Sequence, residues 1–279
     1  HIPIVVCRGY SLPNWVNKKT LVLCSSYSGN TEETIQALND AVKKNAQICG
    51  ITTGGKIGAK IEELGHDLIL IPPGLQPRAA LAFSFIPMIK VLEKIGVIVP
   101  DIDNWLNPTI NSLKEVRGLY SKDDKKNPVY NLSKRIYKKI PIIYTATSSL
   151  GVIATRLKGQ ICENSKMLAY HNELPELNHN EIVGWENNSK IFKYLHLIWL
   201  KDISDNNRTK IRQEITRDIL SEEGIKQDSI QVKGNTFQER FLHMVHYGDW
   251  LSFWCAIHHE SDPSPVIKIS RLKDELSEK

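Results

Sequence analysis

No run of 18 or more apolar residues occurs in this 279-residue sequence, so no membrane-spanning helix is expected. Arg8, Asn14 and Asn17 break the apolar start, which leaves no core for a signal peptide. Cysteine is scarce. Cys7, Cys24, Cys49, Cys162 and Cys255 are odd in number, lie far apart and form no C-x-x-C, which argues against a disulfide framework or a zinc knuckle and for a reducing cytoplasm. A strong charge of one sign is missing as well: Lys and Arg outnumber Asp and Glu by 36 to 31. An excess of +5 over the whole chain is too mild to mark a nucleic-acid or membrane-surface binder, but it suits an anionic small molecule. G-x-x-x-x-G-K-[ST] is absent, and the Gly54-Gly55-Lys56-Ile57-Gly58 turn lacks the first glycine of G-x-G-x-x-G, so nucleotide binding has little support.

What is present is a core-forming composition, 41% hydrophobic and 24% charged, which excludes disorder and leaves room for two domains. Short β-branched runs alternate with longer amphipathic stretches, the pattern of an α/β fold built on a mainly parallel sheet. In the first half, strands are expected at Ile2 to Cys7, Thr20 to Cys24, Ala46 to Thr52 and Leu68 to Ile71. Helices are expected near Glu32 to Lys44, Ile57 to Leu64 and Ala79 to Ile95. Between Pro100 and Pro128 the alternation stops in an Asn-, Asp-, Lys- and Pro-containing stretch, read as a helical linker region. It resumes with an amphipathic Leu132 to Lys138, strands at Ile140 to Tyr144, Tyr194 to Leu200 and Ser229 to Val232, and helices at Leu150 to Glu163, Arg208 to Ser221, Phe237 to His258 and Pro265 to Leu276. The expected division is therefore a first domain over 1–100, a linker over 101–127 and a second domain with a C-terminal helix over 128–279. Both halves place hydroxyls between a strand and a helix, which makes an internal duplication plausible. The basic cluster Lys134, Arg135, Lys138 and Lys139 reads as a solvated helix face, and Trp250, Phe253 and Trp254 read as core packing.

Cys24-Ser25-Ser26-Tyr27-Ser28-Gly29-Asn30-Thr31 joins an apolar strand to a helix. Unpaired N–H groups at a helix start carry a partial positive charge, Ser26, Ser28 and Thr31 add hydroxyl donors, and Gly29 lets the backbone approach closely. A phosphomonoester suits such a cradle. The alternative is an ordinary capping box with Asn30 or Thr31 as N-cap. Arg78 follows the rigid Pro72-Pro73-Gly74-Leu75-Gln76-Pro77 turn at the carboxyl edge of the sheet, where open α/β folds bind ligands; a plain surface arginine is the alternative. Glu163 and His179 lie in segments dense in acids and bases and could supply a proton relay and a near-neutral proton shuttle, against the reading of both as solvated or capping groups. Metal ligation by His171, Glu173, His179 and Glu181, by His243, His246 and Asp249, or by Cys255, His258 and His259 matches no established ligand spacing, so no metal is assigned.

Five ordered segments, Ser26 to Thr34, Gln76-Pro77-Arg78-Ala79-Ala80, Glu163-Asn164-Ser165-Lys166, Asn178-His179-Asn180-Glu181 and Asp262-Pro263-Ser264-Pro265, together carry a resemblance. Over essentially its whole length the chain resembles the prokaryotic bifunctional phosphoglucose/phosphomannose isomerases. The resemblance implies two sugar isomerase (SIS) domains, each a mainly parallel sheet flanked by helices, with the site between domains and at a homodimer interface. It implies that Ser26, Ser28 and Thr31 hold the phosphate of a sugar 6-phosphate, Arg78 stabilises a cis-enediolate, and Glu163 moves the proton between carbon 1 and carbon 2. His179, from the same or the partner subunit, would open the ring, Lys273 would be an active-site lysine, and Ser264 would bear on acceptance of both sugars. No cofactor is implied. Relatives open with a strand and a Gly/Ser-rich loop of G-M-G-G-S type ahead of the segment aligned with His1, so the first domain is expected to lack its N-terminal strand and loop. Competing expectations are a non-catalytic SIS module that senses a sugar phosphate, and a structural dimer without a working site.

Overall fold

The computed structural model describes residues 2–99 and 101–278. The chain divides into two compact units, one ending at Ile102 and the other starting at Asp103; Pro100, at the expected boundary, lies outside the described residues.

The first unit runs β1 (Leu21–Ser25), α1 (Glu32–Lys43), β2 (Gln47–Thr52), α2 (Gly55–Glu63), β3 (Asp67–Leu70) and α3 (Leu81–Lys94). Its three strands pair in parallel in the order β1-β2-β3, each crossover supplied by a helix. Leu38 and Ala41 of α1 and Ile57 and Ile61 of α2 are buried with Cys24 and Ile48 in one core cluster, so the apolar face of each helix is sealed against the strands. The strand expected at Ile2 to Cys7 does not form. Ile2, Ile4, Val5 and Val6 are 56–75% exposed, and among the described residues this segment belongs to no ladder. A β-branched run becomes a strand only where a neighbour takes its N–H and C=O groups.

The second unit, which takes all of α4 but its first residue, runs α4 (Ile102–Tyr120), α5 (Pro128–Ile136), β4 (Ile140–Ala146), α6 (Gly151–Ser165), β5 (Tyr170–Leu174), β6 (Leu195–Leu200), α7 (Asn207–Glu222), β7 (Gln227–Ile230), α8 (Phe237–His258) and α9 (Ile267–Ser277). The four strands are parallel in the order β5-β4-β6-β7, so the chain reverses direction at β4. α5 starts four residues earlier than periodicity predicts. Buried Asn127 accepts from the N–H groups of Val129 and Tyr130 while its amide donates to the carbonyls of Tyr120 and Lys122, and Pro128 needs no N–H partner at the first position. β5 is a strand that the polar Tyr-His-Asn-Glu-Leu sequence conceals, and β7 sits two residues before its expected place. Trp254 is buried as expected, whereas Phe253 is 36% exposed, because adjacent helical residues point about 100° apart.

A buried ion pair holds this unit together. The Arg240 guanidinium donates to both oxygens of Asp202 at 2.7 and 3.0 Å, both residues being 4% exposed. Burial alone would raise the Asp202 carboxyl, but the hydrogen bonds from Arg240 and Ser204 outweigh it and hold the group below its ordinary 3.8. A depressed carboxyl stabilises the fold above its unfolded value and loses that contribution as pH falls through the folded one. The unfolding temperature of the protein should therefore drop on acidification below about pH 4. Asp202→Asn should be less stable at pH 7 yet lose less on acidification; an acid limb as steep in the variant as in the wild type would remove Asp202 as its source.

Candidate functional site

The cradle between β1 and α1 is assembled by backbone contacts. Gly29 has φ +67°, and a Cβ built there would stand 1.8 Å from the Gly54 carbonyl oxygen. Gly55, φ +66°, in turn abuts the Ser28 carbonyl. Thr53 N–H donates to the Tyr27 carbonyl and Ile57 N–H to the Gly29 carbonyl, both at 2.9 Å. The Gly54-Gly55 turn, unsuited to nucleotides, thus buttresses this loop, and only glycines let the two backbones touch.

The capping box is not formed. Thr31 stands at the N-cap of α1 in extended conformation, but its hydroxyl is hydrogen-bonded to the Ser26 hydroxyl at 2.9 Å instead of to the first turn of the helix. Ser26 is buried, and Ser28 and Thr31 are exposed. Three hydroxyls therefore lie just before a helix whose first turn has no side-chain cap, an arrangement suited to an anion.

Tyr27, which carried no role in the sequence, connects this loop to the one bearing Arg78. Its hydroxyl donates to the Pro72 carbonyl and accepts from Leu75 N–H, each at 3.0 Å. Arg78 follows in the short 3-10 helix Pro77–Ala79, half-buried, with a weak 3.5 Å contact from its guanidinium to Gln76.

In the second unit Glu163 lies in the last turn of α6. That helix is fixed to α8 by a polar seam: Arg156 and Gln160 bond to Asp249, Asn164 donates to the Ser252 hydroxyl at 2.9 Å, and Ser165 donates to the Ser252 carbonyl at 2.7 Å. Lys166, at φ +56°, ends α6 and donates to the Glu163 carbonyl at 2.6 Å and the Pro265 carbonyl at 2.8 Å. It thereby ties the end of the Glu163 helix to the turn holding Ser264, a link that no spacing in the sequence revealed. Ser264 N–H donates to the Asp262 carboxylate at 2.8 Å, and hydrogen bonds from the Ser264 backbone and hydroxyl hold Asp262 below its ordinary value. Lys273 is exposed on α9.

His179 ends the 3-10 helix Glu176–His179, beyond the carboxyl end of β5, and is exposed. It and Glu163 of the same chain are not brought together. α6 starts at the carboxyl end of β4, where the Glu173 carboxylate lies against Gly151, and runs back along the parallel sheet for about 18 Å before reaching Glu163. The two residues stand at opposite edges of one sheet. Around His179, Asn178 donates to the Thr216 hydroxyl at 2.8 Å, and Glu181 accepts from the Tyr144 hydroxyl and the Asn172 amide. Burial and the Glu181 carboxylate push the Tyr144 phenol far above its usual value, so it stays a donor.

Residues 125–276 match the family model described as the bacterial phospho-glucose isomerase C-terminal SIS domain. The chain is 44% identical to a bifunctional phosphoglucose/phosphomannose isomerase of Caldicellulosiruptor bescii, over 99% of this chain and 82% of that protein. It is 38% identical to the protein of that description from Aquifex aeolicus, over 98% and 81%. Among solved structures, glucosamine-6-phosphate deaminase from Thermotoga maritima superposes with a TM-score of 0.64 at 13% identity, over 91% of this chain and 74% of that one. At that identity the likeness is one of fold. The expected α/β class with parallel sheets flanked by helices is borne out.

Proposed function

This chain belongs to the bifunctional phosphoglucose/phosphomannose isomerase family, and from that premise we propose that it interconverts glucose 6-phosphate and mannose 6-phosphate with fructose 6-phosphate through a cis-enediol. Ser26, Ser28 and Thr31, with the first N–H groups of α1, anchor the phosphate dianion. After ring opening at His179, Glu163 takes the proton from carbon 2 and returns it to carbon 1, while a hydroxyl proton passes from oxygen 2 to oxygen 1. Arg78 meets the charge on the enediolate oxygen, and Lys273 adds a second cation. The redox balance is internal to the sugar, so the chemistry requires only proton transfer. Carbon 2 loses its stereocentre in the enediol, which is why one intermediate serves two sugars; Ser264 bears on which is formed. The observation that carries the reading is the cradle, where the cap hydroxyl bonds Ser26 and leaves the start of α1 open to an anion.

We assign the first SIS domain to 1–100, the linker to 101–127 and the second SIS domain to 128–279, in keeping with the family match over 125–276. The active form is a homodimer in which His179 serves the partner's substrate, because one chain holds His179 and Glu163 at opposite sheet edges. α3 agrees with an assembly: Leu-Ala-Phe-Ser-Phe-Ile-Pro-Met-Ile is almost wholly apolar, yet its residues are at most half-buried within the chain. A cytoplasmic location agrees with the five unpaired cysteines and with the absence, among the described residues, of a helix long and apolar enough to cross a membrane.

Proton NMR of fructose 6-phosphate with the protein in deuterium oxide tests the reaction. Glucose and mannose 6-phosphates should both appear with deuterium at carbon 2, and Ser264→Gln should change their ratio more than their sum. No product would exclude the isomerase in favour of a sugar-phosphate sensor, and a single product would exclude bifunctionality.

A further inference from the structure

His179 is an exposed side chain in a segment of short 3-10 turns, with no strand or long helix to hold its direction. Ring opening needs a proton donor and acceptor held at hydrogen-bond distance, about 2.6–3.2 Å, from the ring oxygen and the anomeric hydroxyl. The surrounding hydrogen bonds meet that need from both sides. Before His179, Leu177 is 1% exposed in the core and Asn178 is bonded to Thr216 on α7. After it, Asn180 donates to Glu176 at 2.9 Å and accepts from the Glu181 N–H at 2.6 Å, closing the turn on itself. The Glu181 side chain then reaches back to the sheet and accepts from Tyr144 on β4 and Asn172 on β5. Tyr144 is 0% exposed and accepts from the Trp185 indole N–H at 3.2 Å, so its hydroxyl has one direction available.

Both donors to Glu181 are neutral. The half-buried Glu181 carboxylate is the acceptor for the buried Tyr144 hydroxyl, which an apolar side chain in that place would leave unsatisfied. What the carboxylate adds is direction: two oxygens on two donors from adjacent strands fix the backbone two residues from His179. We propose that Glu181, with Tyr144 and Asn172, is the positioning group for ring opening, holding His179 in the orientation in which it exchanges protons with the sugar ring. This rests on the isomerase reading and on His179 as the ring-opening residue.

Ring opening can be read apart from isomerisation. In a Glu163→Gln background the carbon 2 proton stays in place, while opening and reclosing still exchange α- and β-glucose 6-phosphate, a rate that two-dimensional exchange NMR measures directly. Enzyme-driven exchange should persist in Glu163→Gln and fall to the uncatalysed rate when His179→Ala is added. Adding Glu181→Gln instead should lower it about 10- to 100-fold, with affinity for the sugar phosphate and the unfolding temperature little changed. Tyr144→Phe, which keeps the ring in the core, should act in the same direction and serves where Glu181→Gln fails to fold. In the His179→Ala background neither should have any further effect, the non-additivity expected of one unit. Unchanged exchange in folded Glu181→Gln and Tyr144→Phe would overturn the proposal while leaving the isomerase intact. Exchange that survives His179→Ala would overturn the ring-opening assignment and the clamp with it.

Discussion

Glu163→Gln lowers kcat for fructose 6-phosphate by about 10²- to 10⁴-fold, with KM changed by no more than a few-fold. The substitution keeps size and hydrogen-bonding shape but removes the carboxylate proposed to carry the proton between carbons 1 and 2. The neighbourhood should survive it, because Gln keeps a polar side chain of the same size and α6 is held by Arg156, Gln160, Asn164 and Ser165 against α8 and by Lys166 at its end. Steady-state kinetics together with substrate binding by titration separates the two quantities. A kcat within tenfold of wild type would show that another group moves the proton. The dimer reading adds a sharper outcome. Glu163→Gln and His179→Ala, each nearly inactive alone, should recover about a quarter of wild-type activity when mixed and allowed to exchange subunits. Half of the dimers are then mixed, and each of those has one intact site of two. Failure to recover, with subunit exchange demonstrated, would place both residues in one chain's site.

Gly29→Ala is the second large effect. A single methyl is added, but it stands 1.8 Å from the Gly54 carbonyl oxygen and 2.8 Å from the Thr52 hydroxyl, at a φ of +67° that side chains rarely adopt. The obstructing atom is backbone, tied through Thr52 and the start of α2, so the two loops must part. The left-handed conformation alone costs about 1–2 kcal/mol. Separation then moves Ser28 and the start of α1 out of the proposed phosphate cradle. KM for all three sugar phosphates should rise about 100-fold, as expected for one or two lost charge-assisted bonds, and the unfolding temperature should fall by several degrees. Inorganic phosphate should lose its competition with substrate to the same extent. A KM within threefold of wild type would mean that the phosphate is held elsewhere.

These two sites differ in how far they could be read in advance. Ser26, Ser28, Gly29 and Thr31 lie within one strand-to-helix turn, so the cradle is legible there, against the alternative of a capping box with Asn30 or Thr31 as N-cap. The buttress at Gly54-Gly55 and the Tyr27 bridge to the Arg78 loop were not legible, since both join segments more than twenty residues apart. The same holds for the bond from Lys166 to the Pro265 carbonyl, almost a hundred residues on. Glu181 looked like one more acid in a polar run, because its partners, on β4 and β5, were not foreseeable while β5 went unrecognised. A strand at the sheet edge can carry Tyr-His-Asn-Glu without the alternation that marks one in sequence.

By itself the sequence determined the α/β class, the helix and strand periods, the absence of a spanning helix and the ordered motifs that mark the family, because these depend on residue type and local spacing. Tertiary structure decided which apolar runs found a partner: β1, β2 and β3 pair, while Ile2 to Cys7 does not. It also decided where each proposed catalytic group stands. A parallel crossover returns α6 to the opposite edge of the sheet, so residues only sixteen apart, Glu163 and His179, are separated by the length of a helix. Hydrogen-bond partners and sheet edges follow from pairing at long range, and no count of residues along the chain contains them.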